Sequence, residues 1–509
     1  MNTMSTSVVS ADVLVIGAGL AGLAAARRLA ASHRVIVLEA AAHCGGRART
    51  HHSRGIALEV GCEFIHGTHA ITRRLCADAD IALDPVVRWD NMQWSCGAMP
   101  ATVRSALPTA TAKMLAAVDG AVDAAMEDPL ADGDVDLRRW CVEHAGLGAR
   151  ALAAADVLIA QTCCTPLSEL SVHDLQVCEV WRHGLADQNP RALELGILIR
   201  STGPWGSGAR MFEPRLGIKL DERNGCDERN EWRLRSGYSS LVEALADPTR
   251  PLPALADGEA EAEAEGQPAD AGGELHVLTG AEVVEVCWRA GQLAVALRDG
   301  RALSASTAVV VAVPVSVLQR PELRFEPPLP AAKAAAVDAF AVHPATKVFL
   351  AFGTPLWEPS ASFLASPGML CRWFFPPLCA SGEAVAEAYV TAERAAAVDA
   401  MDEPTLTALA IEELATLLGA PTAQLGRLHR WTHRMSWAHE PHVHGGYASV
   451  RPGHLADCRQ ALAAPLDGGL FFAGEATAFH SNPQTAHGAI ESGLRAAKEV
   501  ESAVRALQR

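Results

Sequence analysis

Tyrosine is scarce in this chain of 509 residues: there are 3, against 12 phenylalanines and 11 tryptophans, and aromatics total only 5%. A cage built from paired tyrosines therefore has very little to draw on. Basic charge is short as well. Against 59 Asp and Glu stand 43 Lys and Arg, a net charge of −16, which argues against nucleic acid as the main partner because phosphate binding needs a basic surface. The 13 cysteines are scattered, with no C-x-x-C pair and no Cys/His cluster at zinc-ligand spacing. No metal site is expected, and reduced thiols in a cytoplasm fit better than a secreted disulfide framework. No basic segment followed by an apolar stretch opens the chain. The most apolar run, 309–318, is too short to span a bilayer and contains Pro314. A soluble cytoplasmic protein without a membrane partner is expected.

What remains is the balance of an ordinary globular protein, 49% hydrophobic and 20% charged, with a length that suggests two or three domains. Residues 12–16 read as a short apolar strand, 20–31 as an alanine-rich helix and 34–38 as a second strand. Strand, glycine turn, helix and strand in succession make a βαβ unit, so a parallel sheet begins at the N-terminus. From about 70 to 199 the pattern turns helical, with 107–126 and 149–161 as examples. Strand character returns at 275–286, 292–297 and 308–313. The stretch 251–273, with Glu259, Glu261, Glu263 and Glu265, reads as a solvated surface loop. A strand at 347–352, a helix at 404–418, a strand at 470–473 and a closing helix at 487–507 follow. Strand patterns at both ends and in the middle predict an interleaved architecture.

Gly17-Ala-Gly19-Leu-Ala-Gly22 sits between the first strand and the helix. Gly17 permits the turn, Gly19 lets backbone approach a pyrophosphate, and Gly22 lets helix and strand pack closely. The helix N-terminus adds free N–H groups and a positive dipole end. Glu39 ends the second strand, where a carboxylate accepts from a ribose diol. Gly45-Gly46-Arg47 follows, a close-approach turn with a fixed cation for the pyrophosphate.

These motifs, with Val37-Leu-Glu39-Ala40, resemble the flavin-containing amine oxidase superfamily of monoamine oxidases, polyamine oxidases and flavin histone demethylases. Three further stretches are similar: Glu59 to Gly67, Thr346-Lys347-Val-Phe-Leu350, and Leu470 to Glu475 followed by Thr485-Ala486-His487. The likeness is poor across 85–205, where the family usually selects its substrate. The resemblance implies an α/β fold, a Rossmann-like FAD-binding domain interleaved with an α+β substrate-binding domain that carries a helical insertion. Segments 10–84, 206–320 and 431–509 would build the first, and 85–205 (the insertion) with 321–430 the second.

The resemblance also implies a cofactor, FAD, held by Gly17, Gly19, Gly22, Glu39, Gly46 and Arg47 at the ADP half. Val283 would present backbone to the adenine, Glu475 would lie near the ribityl–phosphate region, and Thr485, Ala486 and His487 near the ring. Monoamine oxidases tether flavin through a cysteine just before a Tyr, whereas Gly446 precedes Tyr447, so FAD is expected to be non-covalent. Lys347 matches the family lysine that reaches flavin N5 through water, and a buried lysine readily loses its charge. His66 matches a substrate-facing histidine of polyamine oxidases, although a solitary histidine is ordinarily structural. Glu63 could pair with a substrate cation or cap a turn, and the turn is the expectation. The two aromatic cage positions are Ala345 and Asn482, so that guidance is missing; Trp437, Tyr447, Trp373 and Trp205 are candidate replacements.

The expected activity is hydride transfer from the carbon next to an amine nitrogen, imine hydrolysis and reoxidation by O2 to hydrogen peroxide, with a polyamine or another amine as substrate. An amino-acid oxidase stays open and would need an arginine facing the substrate carboxylate, with Arg372 and Arg210 as candidates. A flavin desaturase, or a flavin-holding binding protein with weak catalysis, also stays open. Oligomeric state is not legible.

Overall fold

The computed structural model describes residues 9–66, 70–86, 133–175, 231–255, 273–289, 291–357, 363–377, 382–454, 457–479 and 483–507, with short pieces between 92 and 125. The N-terminal unit forms as the sequence predicts: strand Val9–Ile16, helix Leu20–Leu29 and strand Arg34–Leu38. Val13, Leu14, Val15, Val35 and Val37 are fully buried, as a parallel sheet covered on both faces requires.

Five parallel strands lie side by side in the order Glu274–Leu278, Arg34–Leu38, Val9–Ile16, Ala302–Val311 and Leu470–Phe472. They come from the N-terminal, central and C-terminal stretches, so this sheet is interleaved. The expected strand over 275–286 is two strands, because Gly280 turns the chain at φ 63° between Glu274–Leu278 and Val283–Arg289. The second of these pairs with Gln292–Leu297, and that antiparallel hairpin branches from the start of Ala302–Val311. Helix Leu20–Leu29 packs against the closing helix Ala486–Leu507 so tightly that a Cβ on Gly493 would lie 2.1 Å from the Ala21 carbonyl oxygen.

The second sheet runs His429–Ser436, Ala345–Phe352, Ala384–Thr391, Arg372–Phe374, Phe363–Ala365, Met92–Ser95, Pro100–Thr102. Its last two strands come from the stretch 85–205 that the sequence reads as mostly helical, and their hairpin extends the sheet edge. Most of the expected helix at 107–126 and of the loop at 251–273 lies outside the described residues.

Strand register decides what this sheet offers. Lys347 is opposite Tyr389, Phe349 opposite Glu387, and Glu387 opposite Phe374. With a side-chain period of two, Lys347, Phe349, Glu387, Tyr389, Phe374 and Arg372 share one face. Val348, Leu350, Ala388 and Trp373 share the other, inside an apolar core with Ala151, Ala154, Leu406 and Leu414. Two helices supply that core. One, Glu403–Leu418, is set by an Asp402 cap on the Thr405 N–H and by Gly419 at φ 62°. The other, expected over 149–161, is α-helical over Ala149–Ala155, widens to a π turn over Asp156–Ala160, resumes over Gln161–Cys163 and stops at Cys164, φ 53°. A π turn of this kind re-aims the residues after it, here Thr162 and Cys163.

Candidate active site

A cavity of about 720 Å³ is shared by the two sheets. One end is built by the glycine loop. Gly17 has φ 99° and its added Cβ would sit 2.9 Å from the Ala312 carbonyl oxygen; one on Gly22 would sit 1.9 Å from the Gly17 carbonyl oxygen. Gly19 is the N-cap of helix Leu20–Leu29, and the nearest atom to a Cβ there is 4.0 Å away, so its emptiness serves no internal packing. Gly17, Gly19, Glu39, Gly46, Arg47, Val283 and Glu475 all line the cavity. Gly22 stands behind it and packs helix to strand.

Glu39 is oriented by backbone: its Oε2 accepts the Ala18 N–H at 2.7 Å and its Oε1 accepts the Ala41 N–H at 2.8 Å. Arg47 donates to Glu475 Oε1 at 3.0 Å and to the Gly446 carbonyl. Glu475 Oε2 is buried without a hydrogen-bond partner among the described residues. A buried carboxylate oxygen left open beside a glycine-lined cradle fits a ligand that brings phosphate to one end and hydroxyl donors to the middle.

The other end of the cavity is the polar face of the second sheet. Lys347, 5% exposed in mid-strand, donates from Nζ to the Glu59 carbonyl at 2.8 Å and to Glu63 Oε2 at 3.0 Å. Glu387 Oε1 lies 2.8 Å from the same Nζ, a close ion pair whose angle falls outside that of a hydrogen bond. Arg233, on strand Glu231–Leu234 beside Phe64–His66, donates from Nε to Glu63 Oε1 at 2.7 Å. Glu63 thus caps no turn; at 6% exposed its charge is held by two cations, since a buried carboxylate needs them.

Burial pushes the Lys347 pKa down, but Glu387 and Glu63 outweigh it and the net shift is upward. The expectation that this lysine readily loses its charge is therefore corrected: between two carboxylates it stays an ammonium. Burial, with Glu63 beside it, pushes Glu387 up to about 8 against the pull of Lys347. For Glu63 burial also pushes up, yet Lys347 and Arg233 bring it below the ordinary carboxylate range.

Two of the chain's three tyrosines meet here. Tyr389 and Tyr447 line the cavity and their hydroxyls are 3.3 Å apart, with the Tyr447 hydroxyl donating to the Thr162 carbonyl. Trp437 joins them, its Nε1 donating to the Val60 carbonyl at 2.8 Å. Rings therefore do reach the site, Tyr389 from the strand beside Ala345, and Trp437 and Tyr447 from the chain between His429–Ser436 and Ala448–Val450. Trp373 is not among them, because it points from the opposite face into the core. Asn482, Trp205 and Arg210 lie outside the described residues. His66 lines the cavity half-buried. Thr485 and Ala486 line it at the start of the closing helix, and His487 is buried outside the lining, kept neutral chiefly by burial.

A family model described as flavin-containing amine oxidoreductase matches residues 20–501. The chain belongs to that family. Among curated relatives of this flavin-containing amine oxidoreductase, polyamine oxidase 3 of Oryza sativa subsp. japonica is 26% identical, over 96% of this chain and 88% of its own. An L-amino-acid oxidase of Bothrops moojeni is 24% identical, over 99% of this chain and 91% of its own. Among solved structures, putrescine oxidase bound to putrescine covers 97% of this chain and 99% of its own with TM-score 0.71 and 20% identity. Cyclohexylamine oxidase of Brevibacterium oxydans gives TM-score 0.70 at 17% identity, over 98% of this chain and 100% of its own. These two show the shared fold.

The sequence reading of this flavin oxidoreductase missed Glu387, Tyr389 and Arg233. Glu387 had a legible signal, a lone carboxylate in the otherwise apolar strand Ala384–Thr391. Arg233 had none, because its partner Glu63 is far away in sequence. Among the described residues no helix is long and apolar enough to cross a membrane, and no group of three metal-ligating side chains occurs.

Proposed function

We propose that this flavin-containing amine oxidoreductase is an FAD-dependent amine oxidase that releases an imine, then a carbonyl product, and hydrogen peroxide. The observation that carries the reading is the Lys347 ammonium fixed between Glu63 and Glu387 on the wall of the cavity that also holds the dinucleotide loop. Gly17, Gly19, Gly46 and Arg47 would hold the pyrophosphate, Glu39 the ribose, Val283 the adenine, and Glu475 with Thr485 and Ala486 the flavin half. When bound, the flavin accepts hydride from the carbon next to the amine nitrogen and passes its electrons to oxygen.

The protein's share is to hold the amine neutral, aligned and dry. Lys347, kept charged, cannot take the amine proton, which leaves that task to Glu387: a carboxylate near pH 8 is well matched to it. Tyr389, Tyr447 and Trp437 wall the substrate, and His66 stands at the same cavity. Lys347 supplies a fixed positive charge on the cavity wall. Non-covalent attachment is supported by Gly446 before Tyr447 and by the cavity thiols. Cys62 and Cys163 line it, and burial raises both pKa values, Cys163 to about 12, so neither is a ready thiolate.

The test is anaerobic mixing of the yellow protein with spermine, spermidine, aromatic monoamines and amino acids, followed by air and a peroxide assay. Bleaching by one class with peroxide on reoxidation supports the reading. Bound flavin that no amine bleaches overturns it, and flavin that stays with acid-precipitated protein overturns non-covalent attachment.

A further inference from the structure

Arg372 is the buried charge that amine oxidation as derived above does not use. It is 5% exposed and lines the cavity from the same sheet face as Lys347, two strands across. Its Nη1 donates to Thr162 Oγ1 at 2.6 Å. The guanidinium carbon lies 5.5 Å and 5.6 Å from the rings of Phe363 and Phe374. Its Nε has no hydrogen-bond partner, and no carboxylate pairs with it among the described residues.

The other buried cations are treated differently. Arg459 forks onto Asp174 at 2.9 Å, Lys347 has two carboxylates, and Lys333 reaches three helix-end carbonyls. A guanidinium stays protonated even when buried, and leaving it without a counter-charge is costly. One hydroxyl and two ring faces offset only part of that cost. The pyrophosphate is not the missing anion. Arg372 belongs to the second sheet, the phosphate loop to the first, and the titratable groups that act most on its charge are Tyr447, Cys371, Tyr389 and Cys163, none of them a carboxylate.

We infer that Arg372 binds a carboxylate on the amine substrate while the amine end lies toward Lys347 and Glu387, which makes the substrate class amino acids rather than polyamines. The inference rests on the amine-oxidase reading. Tyr389 stands between the two ends, paired across from Lys347, and two strand spacings separate the ends at the backbone, about 10 Å. A di-cation laid along this wall would put its second ammonium against Arg372 with no carboxylate between them. An amino acid meets a cation with its anion instead. The π turn before Thr162 serves this arrangement, because it brings the hydroxyl that holds Arg372 and the carbonyl that holds Tyr447 to the same edge of the cavity.

The experiment uses the flavin-loaded full chain and matched pairs that differ by one carboxylate: phenylalanine and phenethylamine, leucine and isoamylamine, ornithine and putrescine, with 4-aminobutanoate to separate α- from ω-amino acids. Anaerobic bleaching is followed for wild type, Arg372→Met and Arg372→Lys. Binding of the unreactive 3-phenylpropanoate, against 3-phenylpropanol, is measured by calorimetry. The expected result is a wild-type preference for the carboxylated member. In Arg372→Met that preference falls by about 100-fold, mainly through KM, with loss of 3-phenylpropanoate binding and partial recovery in Arg372→Lys. Equal or better reduction by the decarboxylated member in wild type overturns the inference. So does an equal loss on both members in Arg372→Met, which is what a packing role gives. If no pair bleaches the flavin, the amine-oxidase reading has failed and calorimetry decides for the anion site alone: carboxylate binding that needs Arg372 keeps it, and no binding ends it.

Discussion

Lys347 and Glu387 lie on adjacent strands, and Nζ and Oε1 are 2.8 Å apart, both side chains nearly sealed from solvent. A surface pair at this distance contributes little. A buried pair couples the two protonation states, and on this wall Glu63 shares the same ammonium at 3.0 Å. One cation between two carboxylates keeps one of them easy to protonate, and the raised pKa marks Glu387 as that one.

The first consequence is kinetic. Because Glu387 titrates near 8, raising the pH through that value converts it from acid to base, and flavin bleaching by substrate should quicken across the same interval. Glu387→Gln removes the titrating group, so this limb of the profile flattens and the plateau drops by roughly 100-fold, the usual scale of a positioned base. Stopped-flow bleaching between pH 6 and 10 checks it; a limb that survives in the variant assigns the proton to another group.

Removing the cation should cost more than chemistry. Lys347→Met leaves the buried Glu387 without its cation while Glu63 keeps Arg233, and above pH 8, where Glu387 is ionised, stability should fall by about 3–5 kcal/mol, the scale for breaking such a pair. Adding Glu387→Gln to Lys347→Met takes away that stranded charge and should restore part of the loss. Urea midpoints of the two variants check the order. A double variant less stable than the single would mean that Glu387 packs for reasons unrelated to the ammonium.

Glu59 gives a pH dependence of stability that is separate from catalysis. Its carboxylate accepts the Tyr238 N–H at 2.7 Å and the Thr50 hydroxyl at 3.2 Å, yet burial outweighs these bonds and pushes its pKa up to about 8. Between the ordinary value of 4.5 and about 8 the folded protein holds a proton that the unfolded chain has lost. Over that window stability falls as pH rises, by at most about 1.4 kcal/mol per pH unit, and the loss is complete above it. Glu59→Gln keeps one carbonyl oxygen, which can accept both bonds now made to Oε1, without the charge. Its urea midpoint should match wild type near pH 4.5 and exceed it at pH 9; a constant difference across the range would point to a cause other than this proton.

The glycine-loop end of the candidate site was legible because its residues are local. Gly17, Gly19, Gly22 and Glu39 fall within one βαβ unit, and spacing along the chain is nearly spacing in the fold. The parallel sheet was legible for the same reason, from short runs of fully buried β-branched residues. The Lys347 end was not, because it is assembled by register between strands whose order the sequence does not state. Glu63 read as a turn cap since neither Arg233 nor Lys347 is near it in sequence. Three tyrosines read as little to build a cage from, with Tyr447 one candidate ring; its meeting with Tyr389 is set by strand order and by the turn that presents the Thr162 carbonyl. Arg372 was legible only as a candidate: the polar residue in Arg372–Phe374 shows on its face, while the absence of a partner is a fact of three dimensions.

Gly19 and Gly22 separate folding from cofactor binding within a single motif. A methyl on Gly22 would stand 1.9 Å from the Gly17 carbonyl oxygen, a backbone atom that cannot swing away, whereas a methyl on Gly19 meets nothing closer than 4.0 Å. Gly22→Ala should therefore destabilise the apoprotein itself, by the several kcal/mol typical of a forced core overlap. Gly19→Ala, at φ −72°, should leave the apoprotein's unfolding midpoint close to wild type and still fail to retain FAD, because the added carbon occupies the space through which backbone approaches the pyrophosphate. Absorbance at 450 nm relative to 280 nm, with apoprotein midpoints measured in parallel, distinguishes the two. Full flavin retention by Gly19→Ala would remove the pyrophosphate from this loop, and equal midpoints for the two variants would mean that Gly22 does not carry the helix–strand contact.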